Sequence, residues 1–175
     1  MIKLKYVLIF LRYQDKYLLL NRDKPTWMGC WNGVGGKIEG NETPVEAAIR
    51  ETYEETGIKA NIENNYIRVL WDVLGEENSL GGMYCFLVDI DSLINTPIKT
   101  SEGILDFKTY DWIMDKANSG IAKNIPTILP NLVNNTHKDF ITIYKSKFDD
   151  FGEIKEINFD EMEREYNEKR NNSCC

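Results

Sequence analysis

Histidine is nearly absent from this 175-residue chain: His137 is the only one. A metal site with two imidazoles is therefore excluded, and any Ser-His-Asp or Cys-His arrangement must run through that residue. His137 lies in NNTHKDF, a polar stretch that reads as a solvated loop. Cysteine is scarce too, and Cys30, Cys85, Cys174 and Cys175 form no C-x-x-C pair. A disulfide framework or zinc ribbon is not expected, and the thiols are read as reduced. The vicinal pair at the end is read as part of a frayed, charged tail rather than a lipid anchor, because no polybasic segment precedes it. Positive charge is in deficit, with 21 Lys and Arg against 28 acids and a net charge of −7. That balance argues against a binder of nucleic-acid polymers, which needs excess cations to displace counterions. No apolar run approaches the roughly 20 residues of a membrane span, and the start MIKLKYVLIFLRY has no small-residue cleavage site. A cytoplasmic protein with no membrane partner, monomeric or homodimeric, is the expectation.

What remains is an ordinary composition, 42% apolar and 28% charged, suited to one globular domain. Residues 2–11 and 16–21 read as a hairpin, 64–74 and 81–90 as two further strands, and 104–113 as a strand running into a loop. Residues 44–56 and 125–135 read as helices, the second with Pro126 in its first turn. Residues 140–148 and 152–159 alternate around Asp149-Asp150-Phe151-Gly152 as a closing hairpin. The fold class is α/β (α+β), a mixed central sheet covered by few helices. One domain over 1–159 is followed by a charged, flexible tail over 160–175, whose first part could add a helical turn.

The helix at 44–56 carries unusually complete end signals. Thr43 can cap it, Pro44 suits the first position, Glu46 completes a capping box, and Gly57 stands where a C′ glycine stops a helix. On a wheel, Val45, Ala48, Ile49 and Thr52 share an inward face with Tyr53 at its margin. Glu51, Glu54 and Glu55 share another face with the small Ala47 among them. Like charges at this spacing repel by about 0.2–0.5 kcal/mol per pair. Acids in a last turn also oppose the helix dipole by about 0.3–1 kcal/mol each. A hard divalent cation would remove both penalties; a solvated acidic face with Arg50 as counter-charge is the plainer alternative. The preceding loop favours the cation. Gly33, Gly35 and Gly36 allow close backbone approach, and Lys37 adds a cation beside them. A phosphate contact next to a carboxylate platform is what metal-assisted attack on phosphorus requires.

Gly36, five residues, Glu42, seven residues, then Arg50-Glu51-Thr52-Tyr53-Glu54-Glu55-Thr56-Gly57-Ile58 resembles the Nudix box. All seven invariant letters match at the required spacing, a coincidence on the order of 10⁻⁶ for a chain of this length. Thr52 departs from the pattern, which prefers a bulky aliphatic residue there. The resemblance implies an α/β/α sandwich that hydrolyses a nucleoside diphosphate linked to another moiety, with Mg²⁺ or Mn²⁺. It implies Glu51, Glu54, Glu55 and the Gly35 carbonyl as metal ligands, with Arg50 orienting the first glutamate and Glu54 a candidate base. Glu42 matches a box acid of less direct role. Glu102, in SEGIL, is the expected further acid beyond the box. Trp31-Asn32-Gly33-Val34-Gly35-Gly36-Lys37 is similar to the branch that hydrolyses oxidised purine nucleoside triphosphates such as 8-oxo-dGTP. In that reading Asn32 lies near the base, Trp31 or Trp27 could stack on it, and Gly36 and Lys37 meet the phosphates. Trp112 could line the same cleft or be a core aromatic. Asn32 could instead serve only the backbone of its turn. ADP-ribose or a nucleotide sugar is the competing substrate class, and a ligand-sensing Nudix module without catalysis is the competing function.

Overall fold

The structure, a computed structural model, describes residues 2–146 and 150–172. Met1, Lys147, Phe148 and Asp149 lie outside them, as do Ser173 and the Cys174-Cys175 pair. Its centre is the apolar run of β1 (Tyr6–Tyr13), which turns through Gln14, in the left-handed region at φ 56°, into β2 (Lys16–Arg22). The two-residue β3 (Trp31–Asn32) pairs with β2, and the helix α1 (Pro44–Thr56) follows. Then come β4 (Ile67–Val73), β5 (Gly81–Asp89), the short β6 (Ile98–Lys99) and β7 (Gly103–Thr109). Helices α2 (Tyr110–Met114) and α3 (Ile125–Val133) precede β8 (Asp139–Tyr144), β9 (Phe151–Ile157) and α4 (Phe159–Asn172).

The strands form one mixed sheet in the order β6-β7-β2-β1-β5-β4-β8-β9, with β3 attached beside β2. β1–β5 and β4–β8 are parallel and the other pairs antiparallel. Side-chain alternation divides the core between the two faces. Val7, Ile9, Leu11 and Phe86 pack with α1, while Leu8, Phe10, Val69 and Phe140 pack with α3. The expected α/β/α layering is observed.

Three expectations need correction. Residues 110–113 do not continue the strand, because Thr109 caps α2 by accepting from the Trp112 N–H at 3.3 Å. The segment after 159 is not a frayed tail over its described length. It is helical, and Phe159, Met162 and Tyr166 pack with Ile2, Leu70 and Ile141. Its apolar anchors are spaced three and four apart, a pattern its many charges obscured. Of the closing turn, Phe151 and Gly152 already belong to β9 and Asp149 lies outside the described residues. Cys30 and Cys85 are free. His137 is exposed, at φ 53° between α3 and β8. No helix among the described residues is long and apolar enough to cross a membrane.

Candidate active site

Helix α1 begins and ends as its sequence dictates. Thr43 and Glu46 form the reciprocal capping box, and Gly57 at φ 73° returns its N–H to the Tyr53 carbonyl at 2.8 Å. Its buried face, however, is Ala47, Ala48 and Thr52, while Ile49 and Tyr53 are exposed. The helix is therefore turned by roughly a quarter turn from the apolar-wheel expectation, toward its acids. Two alanines let it press close to β1, and Glu51 and Glu55 come to lie half-buried at its inner margin.

The glycine-rich loop meets those acids directly. It runs antiparallel to β1, with Val7 N–H donating to Gly36 O at 2.9 Å and Ile9 N–H to Val34 O at 2.7 Å. At Gly35, φ is 146° and a Cβ would fall 2.2 Å from the Val7 carbonyl oxygen, so only glycine fits. The Gly35 N–H donates to Glu55 Oε2 at 3.2 Å. Arg50 organises the other acids. It donates to both oxygens of Glu42, at 2.7 and 2.9 Å, to Glu51 at 2.8 Å, to Glu54 at 3.1 Å and to the Lys37 carbonyl at 2.9 Å. The Arg50 guanidinium and the Glu39 N–H draw the Glu42 carboxyl down to about 2. Burial pushes the Glu55 carboxyl up to about 7, and neighbouring Glu51 and Glu102 add to the rise against the Gly35 N–H.

Gly35, Gly36, Glu51, Glu54, Glu55, Glu102 and Asn32 all line one cavity of about 900 Å³. Glu102 reaches it from the turn before β7, where Lys24 bonds its carboxylate at 2.5 Å. Arg50 stands behind the acids rather than in the cavity. The Lys37 side chain is exposed and outside it; Arg22, from the end of β2, lines it beside Glu55, and Lys3 and Lys5 line it as well. Asn32 faces the cavity but accepts the Gly33 N–H on its Oδ1 at 2.9 Å. Trp31 does not line the cavity. Neighbouring strand residues point to opposite faces, and its ring meets Trp112 edge-on, with Lys108 Nζ 4.2 Å from its centroid. Trp112 is thus a packing partner.

The cavity's aromatic walls are instead Trp27 and Tyr144, with centroids 6.2 Å apart, and Tyr6 and Trp71, 5.6 Å apart. Asn124 also lines it and went unnoticed in the sequence. It stands at the N-cap of α3 yet makes no capping bond, and its buried Oδ1 has no partner. Only the conjunction of an N-cap amide with a distant loop could have signalled it.

Among the described residues no three His, Cys, Asp or Glu side chains are placed together to hold a metal ion; Glu51 and Glu54 both turn to Arg50, and Glu55 to the Gly35 N–H. Their chemistry nevertheless fits a hard divalent ion: every donor is oxygen, and Glu55 sits in an excess of negative charge that a cation would relieve.

Residues 3–113 match the NUDIX domain model. The chain belongs to the NUDIX domain family. It is 26% identical over 97 residues to the oxidized purine nucleoside triphosphate hydrolase of Mus musculus, a match covering 55% of this chain and 60% of that protein. Among solved structures it is similar to the MutT protein from Bacillus halodurans, with a TM-score of 0.68 at 21% identity over 86% of this chain and 95% of that one. The NUDIX domain of Shewanella oneidensis NrtR complexed with ADP ribose superimposes with a TM-score of 0.56 at 17% identity, over 78% and 87% of the two chains. These structural likenesses extend the fold assignment from the matched domain to most of the chain.

Proposed function

We propose that this NUDIX protein hydrolyses nucleoside diphosphates linked to a further group, its preferred substrates being oxidised purine nucleoside triphosphates, cleaved to monophosphate and pyrophosphate. The observation that carries this reading is one cavity shared by four carboxylates, a glycine-loop backbone and an aromatic-walled pocket holding an unpaired amide oxygen. Glu51, Glu54, Glu55 and the Gly35 carbonyl would hold a divalent ion, Mg²⁺ or Mn²⁺. When bound, such an ion neutralises phosphate charge and lowers the pKa of water. Glu54 or Glu102 accepts the proton as the water oxygen attacks phosphorus; the bond to the bridging oxygen breaks and that oxygen leaves on pyrophosphate. Arg50 keeps Glu51 oriented, and Arg22 supplies positive charge for the phosphates. Trp27, Tyr144 and Trp71 offer ring faces and edges to a base. Asn124 Oδ1 takes a donor from its edge, and Asn32 keeps its amide N–H donors and the second lone pair of its Oδ1.

The relationship to the mouse hydrolase favours oxidised purine triphosphates, and the likeness to an ADP-ribose-binding NUDIX domain supports ADP-ribose as the second reading. Turnover of oxidised and ordinary nucleoside triphosphates, ADP-ribose and nucleotide sugars with Mg²⁺ separates them. Pyrophosphate from purine triphosphates is the expected result. AMP from ADP-ribose alone would install the second reading. Binding of nucleotides without any turnover would make the protein a sensing module.

A further inference from the structure

Strand β8 lies beyond residue 113, where the family match ends. It pairs in parallel with β4, and the register sets Thr142 directly beside Trp71, which in turn stands beside Gly81 on β5. A Cβ at Gly81 would fall 2.6 Å from Trp71 Nε1, so the indole lies close over that glycine. Alternation along β8 places Phe140, Thr142 and Tyr144 on one face. Phe140 packs beneath α3, and Thr142 and Tyr144 line the cavity that holds the carboxylates.

Thr142 is 1% exposed, and its Oγ1 has no hydrogen-bond partner. Its backbone is committed to the sheet between β4 and β9. A valine would fill the same volume without a stranded hydroxyl, and buried polar groups are almost always paired. The arrangement is not isolated. Among the described residues, four buried side-chain atoms lack a partner, and three of them, Arg22 Nε, Asn124 Oδ1 and Thr142 Oγ1, belong to residues lining this one cavity. Orphaned groups gathered around a cavity are what a polar ligand would satisfy.

We propose that Thr142 is a specificity-determining residue, its hydroxyl bonding the edge of a heteroaromatic base that lies against Trp71 and whose other edge meets Asn124. This rests on the nucleotide reading above and deepens it: selectivity among bases would come from a strand outside the matched domain. A hydroxyl both donates and accepts, so the ligand class is a base whose edge carries a carbonyl or an N–H, as purines do.

The test uses the full chain with Thr142→Val and Thr142→Ser. Affinities for dGMP, 8-oxo-dGMP, dAMP and dCMP, and for base-free ribose 5-phosphate, are read by thermal shift and calorimetry, which need no turnover. Thr142→Val should melt at or above the wild-type temperature without ligand. Its affinity for the preferred base should fall about tenfold or more, with ribose 5-phosphate unchanged and Thr142→Ser restoring most of the loss. An unaltered ranking of bases, or an equal loss for ribose 5-phosphate, overturns the proposal. So does wild-type protein that binds no nucleotide better than ribose 5-phosphate. Failure of the hydrolytic reading alone would appear differently, as base-selective binding without turnover.

Discussion

A Cβ placed on Gly36 would stand 2.3 Å from Oε1 of Glu51. The loop and Glu51 are thus in contact at a point where the backbone offers no side chain. Gly36 does not occupy the left-handed region, so alanine is acceptable to the backbone, and the clashing atoms end a flexible side chain. Gly36→Ala should therefore fold, with stability within about 1 kcal/mol of wild type, while Glu51 is forced aside. Turnover should fall tenfold or more and the Mg²⁺-induced rise in melting temperature should shrink. Gly35→Ala is the contrast: its φ and the Val7 carbonyl leave no room, so it should lose folded protein in a denaturation assay. Equal behaviour of the two variants would contradict this division.

Glu54→Gln and Glu55→Gln keep shape and remove charge. Each should lower kcat by orders of magnitude with Mg²⁺ while circular dichroism stays native. Wild-type turnover in both would refute the assignment of the carboxylates.

Glu55 also gives a pH signature in metal-free buffer. Burial raises its folded-state carboxyl from the ordinary 4.5 to about 7. Between those values the folded protein keeps a proton that the unfolded chain has lost, so its stabilising effect is complete below 4.5 and disappears as pH rises through 7. Glu55→Gln should remove this dependence, flattening the fall in stability between pH 5 and 8 by on the order of 2 kcal/mol. Matching slopes for the two proteins in chemical denaturation would rule the ionisation out.

Thr52 replaces the aliphatic residue that the box pattern prefers, and the structure shows the consequence. It is 0% exposed, and its Oγ1 has no partner. Unlike Thr142 it lies on the buried face of α1 and does not line the cavity, so a ligand there cannot satisfy it. Thr52→Val should raise stability by about 1–2 kcal/mol and leave kcat and KM unchanged. Destabilisation on urea titration would mean that the hydroxyl is satisfied in solution.

The sequence disclosed the parts of this molecule that are local. Thr43, Glu46 and Gly57 act within a turn of their own backbone, so the limits of α1 were readable, and the spacing of Glu51, Glu54 and Glu55 fixed their shared side. The direction of that side was not, because Ala47 and Ala48 contribute to packing through closeness rather than hydrophobic bulk. Nor was the choice between Trp27 and Trp31 readable. It depends on strand alternation at β3, a two-residue strand that exists only because β2 lies beside it. Asn124 and Thr142 come from elements that meet the loop only after the sheet is assembled, and neither has a local pattern that marks it.

The last described helix was the least legible element, and it supports a final prediction. Truncation after Phe159 is harmless if the segment is only a charged tail, but the structure joins α4 to the domain at several points. Asp160 lies 3.3 Å from Arg68 Nη1, and Arg68 is also held by Asp139 at 2.6 Å and stacks on Phe159 at 4.0 Å from the ring centroid. The Ile2 N–H donates to Glu163 Oε1 at 3.0 Å, and Met162 and Tyr166 cover Leu70 and Ile141. The Asp160 contact is exposed and contributes little; the apolar cover matters more, at about 25 cal/mol per Å² of buried apolar area. Removing residues 160–175 should therefore lower stability by about 2–4 kcal/mol. The loss should be reproduced in large part by Met162→Ala with Tyr166→Ala, and far less by Asp160→Asn. The carboxylates of α1 make none of these contacts, so kcat at temperatures where the truncated protein remains folded should change less than threefold. A truncated protein with the melting temperature of the full chain would show that α4 does not hold this position in solution.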